Sequence, residues 1–223
     1  MAMFRTEDYK TGLSRVSYAQ NLFTAREQGK PPNVRRKFGA TLIYPNEAMK
    51  AKTCRTLQGK IVSLEDIVKE VILGEWGEKG LERAARGLIK SPFLKGDGKE
   101  ARNKETGDLH PGMGPDVFFI RVQANEDRPP KISSTAVGSF VPATKEDVYS
   151  GCYGFPIINA FAWHNDENGD GVSFGISCFF KHSDGDPLGG SGGGGDPDKW
   201  IEKIEDTGDA PAVGSAGAGG LFG

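Results

Sequence analysis

Cysteine is scarce in this 223-residue chain. There are three, Cys54, Cys152 and Cys178, an odd number with no C-x-x-C spacing. That argues against a disulfide framework and a cysteine zinc site, and it fits a reducing compartment such as the cytoplasm. Long apolar runs are missing too. No stretch of about 18 apolar residues occurs, so no membrane helix is expected. The opening MAMFRTEDYK lacks the apolar segment of a secretory signal. No G-x-S-x-G, H-E-x-x-H or Walker A string is present, and no cofactor is indicated. The three histidines, His110, His164 and His182, lie far apart in sequence, none beside a plausible nucleophile. The chain is expected not to be an enzyme.

Two strings imitate ligand sites and fall short. DENGDG at 166–171 resembles the front of a calcium loop, but the twelfth position is Ser177 where a bidentate carboxylate is needed. GGSGGGGDPDK at 189–199 lacks the lysine–hydroxyl pair of a phosphate loop, so it reads as a linker.

Charge is uneven. Residues 183–223 hold eight acids and two bases, leaving 22 acids and 26 bases in the first 182 residues. Residues 1–60 alone carry twelve bases against four acids. A basic front and an acidic tail point to a polyanionic partner.

Period-2 alternation marks strands at LSRVSYAQNLF and VRRKFGATLIYP. In the second, Phe38, Ala40, Leu42 and Tyr44 share one face, and Lys37, Gly39, Thr41 and Ile43 the other. Residues 63–90 change period. Leu64, Ile67, Val68, Val71 and Ile72 make one helical stripe, opened by a Ser63–Asp66 capping box. Leu81, Ala84, Ala85, Leu88 and Ile89 make a second helix after Gly77. Residues 95–116 form a long loop. VFFIRVQ is a strand with Phe118, Ile120 and Val122 facing in and Phe119, Arg121 and Gln123 facing out. STAVGSFVPA is a further strand-like segment. PIINAFAWH and GVSFGISCFFKH form a hairpin around NDENGDG. On the second arm Val172, Phe174, Ile176, Cys178 and Phe180 are expected to share the apolar face, opposite Ser173, Gly175, Ser177, Phe179 and Lys181.

The sum is a mainly β domain over 1–188 with a two-helix insertion at about 63–90, then a flexible, Gly-rich acidic tail at 189–223. Five short strands with helical cover suggest a small barrel, of which the OB type is one; a β-sandwich with a helical flap is the other solution. Tyr149, Tyr153 and Phe155 fall at alternate positions, Arg35, Arg36 and Lys37 lead into the second strand, Arg121 lies two residues from Phe119, and Lys131 and Lys181 add charge. Rings interleaved with cations suit an unpaired strand held by its phosphates and stacked by its bases. The rival readings are a virion assembly protein using the aromatic surface as an interface, and a thiol enzyme acting through Cys152.

YSGCYGFPIINAFAW with GVSFGISCFFKHSDGDPLGG, and upstream KFGATLIYP, resemble a family of bacteriophage single-stranded DNA-binding proteins with one OB fold. The resemblance implies a non-enzymatic protein of replication and recombination that coats, protects and anneals strands. On the combined reading of charge, rings and resemblance, Arg36, Lys37, Arg121, Lys131 and Lys181 are expected to pair with phosphates, and Tyr18, Phe119, Tyr149, Tyr153 and Phe155 to stack bases. The resemblance also implies a groove-competing tail, Asp196, Asp198, Glu202, Glu205, Asp206 and Asp209 with Phe222 near its end, that contacts replication proteins. This chain departs from the family in having Phe155-Pro156 where a basic residue is expected, and its tail acids end at Asp209. Whether the protein forms oligomers is left open by the sequence.

Overall fold

Alternation along two long strands sets the architecture. The computed structural model describes residues 3–29, 34–167 and 169–189. The elements are β1 (Tyr9–Lys10), β2 (Ser14–Ser17), β3 (Arg26–Gln28), β4 (Arg35–Pro45), β5 (Cys54–Arg55) and β6 (Ile61–Val62). They continue with α1 (Leu64–Ala85), β7 (Ile89–Lys90), β8 (Leu94–Lys95), β9 (Val117–Asn125), β10 (Lys131–Ser133), β11 (Tyr153–Asn165) and β12 (Gly169–Ser183). The expected flexible tail, with Asp196, Asp198, Glu202, Glu205, Asp206, Asp209 and Phe222, lies outside the described residues.

Strand pairing runs in a fixed order. β2 pairs antiparallel with β4, with Val16 opposite Leu42. β4 pairs antiparallel with β9 from Lys37–Asn125 to Pro45–Val117. β9 pairs parallel with β12 through Val122 and Phe174. β12 pairs antiparallel with β11 along the whole hairpin, and β11 pairs with β2 through Tyr153 and Arg15. The alternation expected on β4 and β9 holds. Ala40, Leu42, Tyr44, Phe118, Ile120 and Val122 are buried together with Ile158, Phe174 and Phe179. Truncating a fully buried ring such as Phe174 to alanine is expected to cost about 3–5 kcal/mol. The Tyr44 phenol is satisfied inside by Thr11 Oγ1 at 3.0 Å, and burial raises its pKa.

Helix α1 starts where the sequence says. Ser63 Oγ accepts from the Asp66 N–H at 3.1 Å, and Asp66 Oδ2 accepts from the Ser63 N–H at 2.9 Å. Leu64, Ile67, Val68, Val71 and Ile72 are buried. The two expected helices run as one element broken at Gly77, whose φ of 62° and ψ of −161° are closed to most side chains. The second segment ends at Ala85, four residues before Ile89, because Gly87 turns the chain and Ile89 enters β7 beside β12.

Three further expectations need correction. The strand over 13–23 stops at Ser17: Tyr18 adopts a left-handed φ of 57° and a 3₁₀ turn, Ala19–Leu22, follows. STAVGSFVPA is a loop tied down by one bridge, Ser133 to Pro142. On β12 a register shift between Ile157 and Ile158 of β11 leaves Ser177 without an opposite residue. Beyond it the inward set changes parity, so Phe179 is fully buried while Cys178 and Phe180 are half-exposed.

Candidate functional site

The outward face of β4 and β9 carries a groove. Lys37, Gly39 and Thr41 from β4 stand beside Gln123 and Arg121 from β9, so the alternation that buries Ala40 and Val122 brings these polar groups out. The groove encloses about 330 Å³. β3 contributes Arg26 and Gln28, the turn after β2 contributes Tyr18 and Asn21, and the 95–116 loop contributes Glu100, His110 and Met113. Lys37 Nζ donates to Gln123 Oε1 at 3.2 Å, and Gln123 Nε2 donates to Gln28 Oε1 at 3.0 Å. Desolvation, helped by Arg35, lowers the Lys37 pKa. An anion set against Lys37 would oppose this shift by favouring the charged form. Tyr18 is 42 % exposed and meets His110 edge to face, with centroids 6.3 Å apart. Among the described residues, the buried Asn21 Oδ1 has no hydrogen-bond partner.

A second hollow, about 760 Å³, continues across the neighbouring strands and shares Lys37 and Gln123 with the first. It holds Arg5, Arg128 and Lys131, with Asn159 and Phe161 from β11 and Ser177 from β12. The Arg5 guanidinium lies over the Phe161 ring at 4.6 Å and donates to Asn159 Oδ1 at 2.8 Å. Asp8 accepts from Asn159 Nδ2 at 2.8 Å. A third recess beside Arg121 adds Lys99, Arg102 and Lys104. The three together are lined by nine cations and four acids, Glu7, Asp8, Glu27 and Glu100, so positive charge prevails along a path running across the strands.

The sequence-predicted residues divide. Tyr18, Lys37 and Arg121 meet in the first groove and Lys131 sits in the second. Phe119 is a correction. Its parity is outward, but Ile43, Ala101 and Leu188 seal it at 1 % exposure, because the 95–116 loop folds over that end of β9. A sealed ring offers no stacking face. Arg36 is one residue out of step with Lys37, and it is held by Glu126 at 3.0 Å and the Ala25 carbonyl at 3.3 Å. Phe155 lies under Lys10 at 4.4 Å and against His182 at 5.2 Å.

Tyr149, Tyr153 and Lys181 belong to a different construction. The segment 149–153 and the segment 183–188 are bound to each other. Tyr149 Oη donates to the Gly185 carbonyl at 2.9 Å, and Leu188 N–H donates to the Ser150 carbonyl at 2.7 Å. Arg15 donates to the Asp186 carbonyl at 2.7 Å and the Gly151 carbonyl at 3.1 Å, with its guanidinium over the Tyr153 ring at 5.6 Å. Gly151 has φ 120°, and a Cβ there would stand 2.2 Å from the Asp186 oxygen. Lys181 crosses the Tyr149 ring at 5.3 Å and reaches Asp184 at 2.7 Å. Burial opposes its charge, but Asp184 outweighs burial and raises its pKa; in return Lys181 lowers that of Asp184. This clasp delivers Gly189, the last described residue, to a recess shared with Tyr18 and His110.

Two alternative chemistries meet plain obstacles. Cys152 is fully buried and burial raises its pKa, so its thiol is kept protonated and inaccessible. In the calcium-like string, Asp170 binds Arg83 of α1 and His164 Nδ1, while Asp166 faces His164 Nε2 at 3.2 Å. Sequence reasoning missed Arg5, His110, Asn159 and Phe161. For Phe161 a signal existed, since it continues the 153–155–157–159 alternation. For Arg5 and His110 none did, because only the fold brings residues so distant in sequence to one groove.

The family model described as Enterobacter phage Enc34, ssDNA-binding protein, matches residues 8–207. No curated protein matches the chain. Similar solved structures include the single-stranded DNA-binding protein from bacteriophage Enc34 in complex with ssDNA, at 14 % identity, covering 82 % of this chain and 89 % of that one, TM-score 0.49. Its C-terminal truncation is similar at 15 % identity, covering 81 % and 88 %, TM-score 0.48. The gp2.5 single-stranded DNA-binding protein encoded by bacteriophage T7 is similar at 12 % identity, covering 92 % and 99 %, TM-score 0.46.

Proposed function

The chain belongs to the Enterobacter phage Enc34 ssDNA-binding protein family, and on that premise we propose that it coats single-stranded DNA during phage replication and recombination, without reading sequence and without catalysis. The observation that carries the proposal is the cation-lined path from Tyr18 and Lys37, across Arg121 and Gln123, to Phe161 and Arg5. Lys37, Arg121 and Lys131 pair with phosphates, joined by Arg26, Arg5 and Arg128. Tyr18 and Phe161 stack bases.

Within residues 1–188 we assign a five-stranded OB-type barrel. What supports it is the pairing order β2–β4–β9–β12–β11 and back to β2, with the β9–β12 contact parallel. In that architecture the second and third strands and the adjoining loops hold oligonucleotides. Here those strands are β4 and β9, and the loop between β2 and β4 supplies Tyr18, Arg26 and Gln28. The tail at 189–223 begins at Gly189, beside Tyr18 and His110. Its acids, Asp196 to Asp209, compete with DNA for the cations, and the tail recruits replication proteins in the host cytoplasm. Among the described residues no helix is long and apolar enough to cross a membrane.

The test is fluorescence anisotropy of labelled oligonucleotides over a salt series. Single strands should bind far more tightly than duplex, with log K falling against log salt by about 0.7 per phosphate neutralised. Lys37→Gln should remove about one such increment, and deletion of 191–223 should tighten binding at low salt. Equal affinity for duplex and single strands would refute the proposal. Unchanged affinity after the deletion would refute only the competing tail.

A further inference from the structure

We infer that Lys10 and Arg55 form a further phosphate site that carries the DNA path beyond the second hollow. The inference rests on the groove being that path, and it adds where a longer strand goes when it leaves.

Strand register supplies the geometry. Lys131 stands opposite Cys178, Cys178 opposite Ile157, Ile157 opposite Lys10, and Lys10 opposite Arg55. Opposed residues share one face of a sheet. Their chain neighbours Ile132, Phe179, Ile158, Tyr9 and Cys54 are buried, so the row itself faces out. It crosses β10, β12, β11, β1 and β5 in turn. Strands stand about 4.8 Å apart, so it spans about 19 Å from Lys131 to Arg55. Lys131 and Cys178 already line the second hollow. Ile157, next in the row, is apolar and half-buried, and two cations lie beyond it.

Charge supplies the reason. Like charges directly opposite on paired strands repel and weaken the sheet. Lys10 and Arg55 are such a pair, and among the described residues neither has an acidic partner. Burial lowers the Lys10 pKa, and Arg55 lowers it further. Asp8, two residues back, is committed elsewhere: it accepts from Asn159 Nδ2 at 2.8 Å and from Ser177 Oγ at 3.1 Å. What props Lys10 is a ring. Its Nζ lies 4.4 Å over Phe155, which His182 meets at 5.2 Å. The prop leaves the ammonium free to donate. Lys10 Nζ has no hydrogen bond among the described residues, and solvent reaches it, since the buried unpartnered side-chain atoms there belong to Asn21 and Trp163. Arg55 is exposed and equally unpartnered. An anion between the two would offset their repulsion and accept hydrogen bonds from both. A phosphodiester that has passed Lys131 and crossed Ile157 is such an anion, supplied by the strand already in the hollow.

The experiment measures anisotropy of oligo(dT) strands of about 5 and about 16 nucleotides, near the two ends of the range for one OB fold, over a salt series with the full chain. The double variant Lys10→Gln/Arg55→Gln should lose about 1.4 from the salt slope of the long strand, two phosphates at about 0.7 each. The short strand, held by the groove, should keep its slope. Lys37→Gln, by contrast, should flatten the slope for both lengths. Arg55→Gln alone should remove half of the long-strand effect. Its side chain is exposed and unpartnered, so this variant decides the question even if the double variant does not fold. An unchanged slope for the long strand, or equal losses for the two lengths, overturns the inference and leaves the groove in place. If the unmodified chain binds single strands no better than duplex, the groove reading fails and this site falls with it.

Discussion

Tyr18 and Tyr149 are both partly exposed phenols near cations, and they differ in what their neighbours leave unsatisfied. Around Tyr149 nearly everything is spent. Its hydroxyl serves Gly185, its ring is crossed by Lys181, and Lys181 is itself committed to Asp184. Around Tyr18 there is surplus. Among the described residues Lys37 has only an amide partner, with a depressed pKa, Asn21 Oδ1 has none, and the ring faces an open hollow. Rings interleaved with bases describe both regions equally well. Which of them can take a ligand is decided by the hydrogen-bond and charge balance each keeps when alone.

The clasp gives the largest expected effect. Gly151→Ala sets a Cβ against the Asp186 carbonyl at a left-handed φ. It should cost about 3 kcal/mol, the range for a strained backbone plus a clash. For a domain of this size that is a fall in Tm of about 6–12 °C in a thermal melt. DNA affinity of the folded fraction should barely change. Tyr18→Ala makes the opposite cut. Loss of one stacking platform should weaken oligonucleotide binding by about 1–3 kcal/mol, read by anisotropy, with little change in Tm. If the two variants exchanged phenotypes, the contrast drawn here would be inverted.

Tyr149→Phe sharpens the contrast with one atom. It keeps the ring and removes the hydroxyl that holds Gly185, so stability should fall by about 1 kcal/mol in a urea titration. Binding to single strands should stay within twofold of the unmodified chain.

The smallest effect lies at the hairpin tip. His164 touches Asp170 and Asp166, which raise its pKa, Asp170 more than Asp166. A group whose pKa is higher folded than unfolded stabilises fully below its unfolded value, about 6.5, and loses that contribution as pH rises through the folded value. Melting curves from pH 5 to 8 should show this loss, and His164→Asn should abolish it. A Tm that climbs over that range in the unmodified chain but not in the variant would give the wrong sign.

Much of the β framework was legible in period-2 alternation: β4, β9 and the β11–β12 hairpin lie where the pattern puts them. The capping box located the start of α1 for the same local reason. What the pattern could not carry was anything set by a single irregular residue. Left-handed Tyr18 ends a strand whose alternation continues on paper to Leu22, and the unpaired Ser177 exchanges Phe179 for Cys178 and Phe180. The family signature was legible as a resemblance, but its text, 149–153 and 183–188, builds the clasp. The groove draws instead on Arg5, Tyr18, Lys37, His110, Arg121 and Phe161, six residues from distant parts of the chain.

The most direct test is photo-crosslinking of a bound oligonucleotide to the full chain, followed by mass spectrometry of the linked peptides. The account predicts crosslinks at Tyr18, His110 and Phe161, with Tyr149 and Tyr153 unlabelled. Crosslinks concentrated at Tyr149, Tyr153 and Phe155, with the Tyr18 peptide clean, would contradict it.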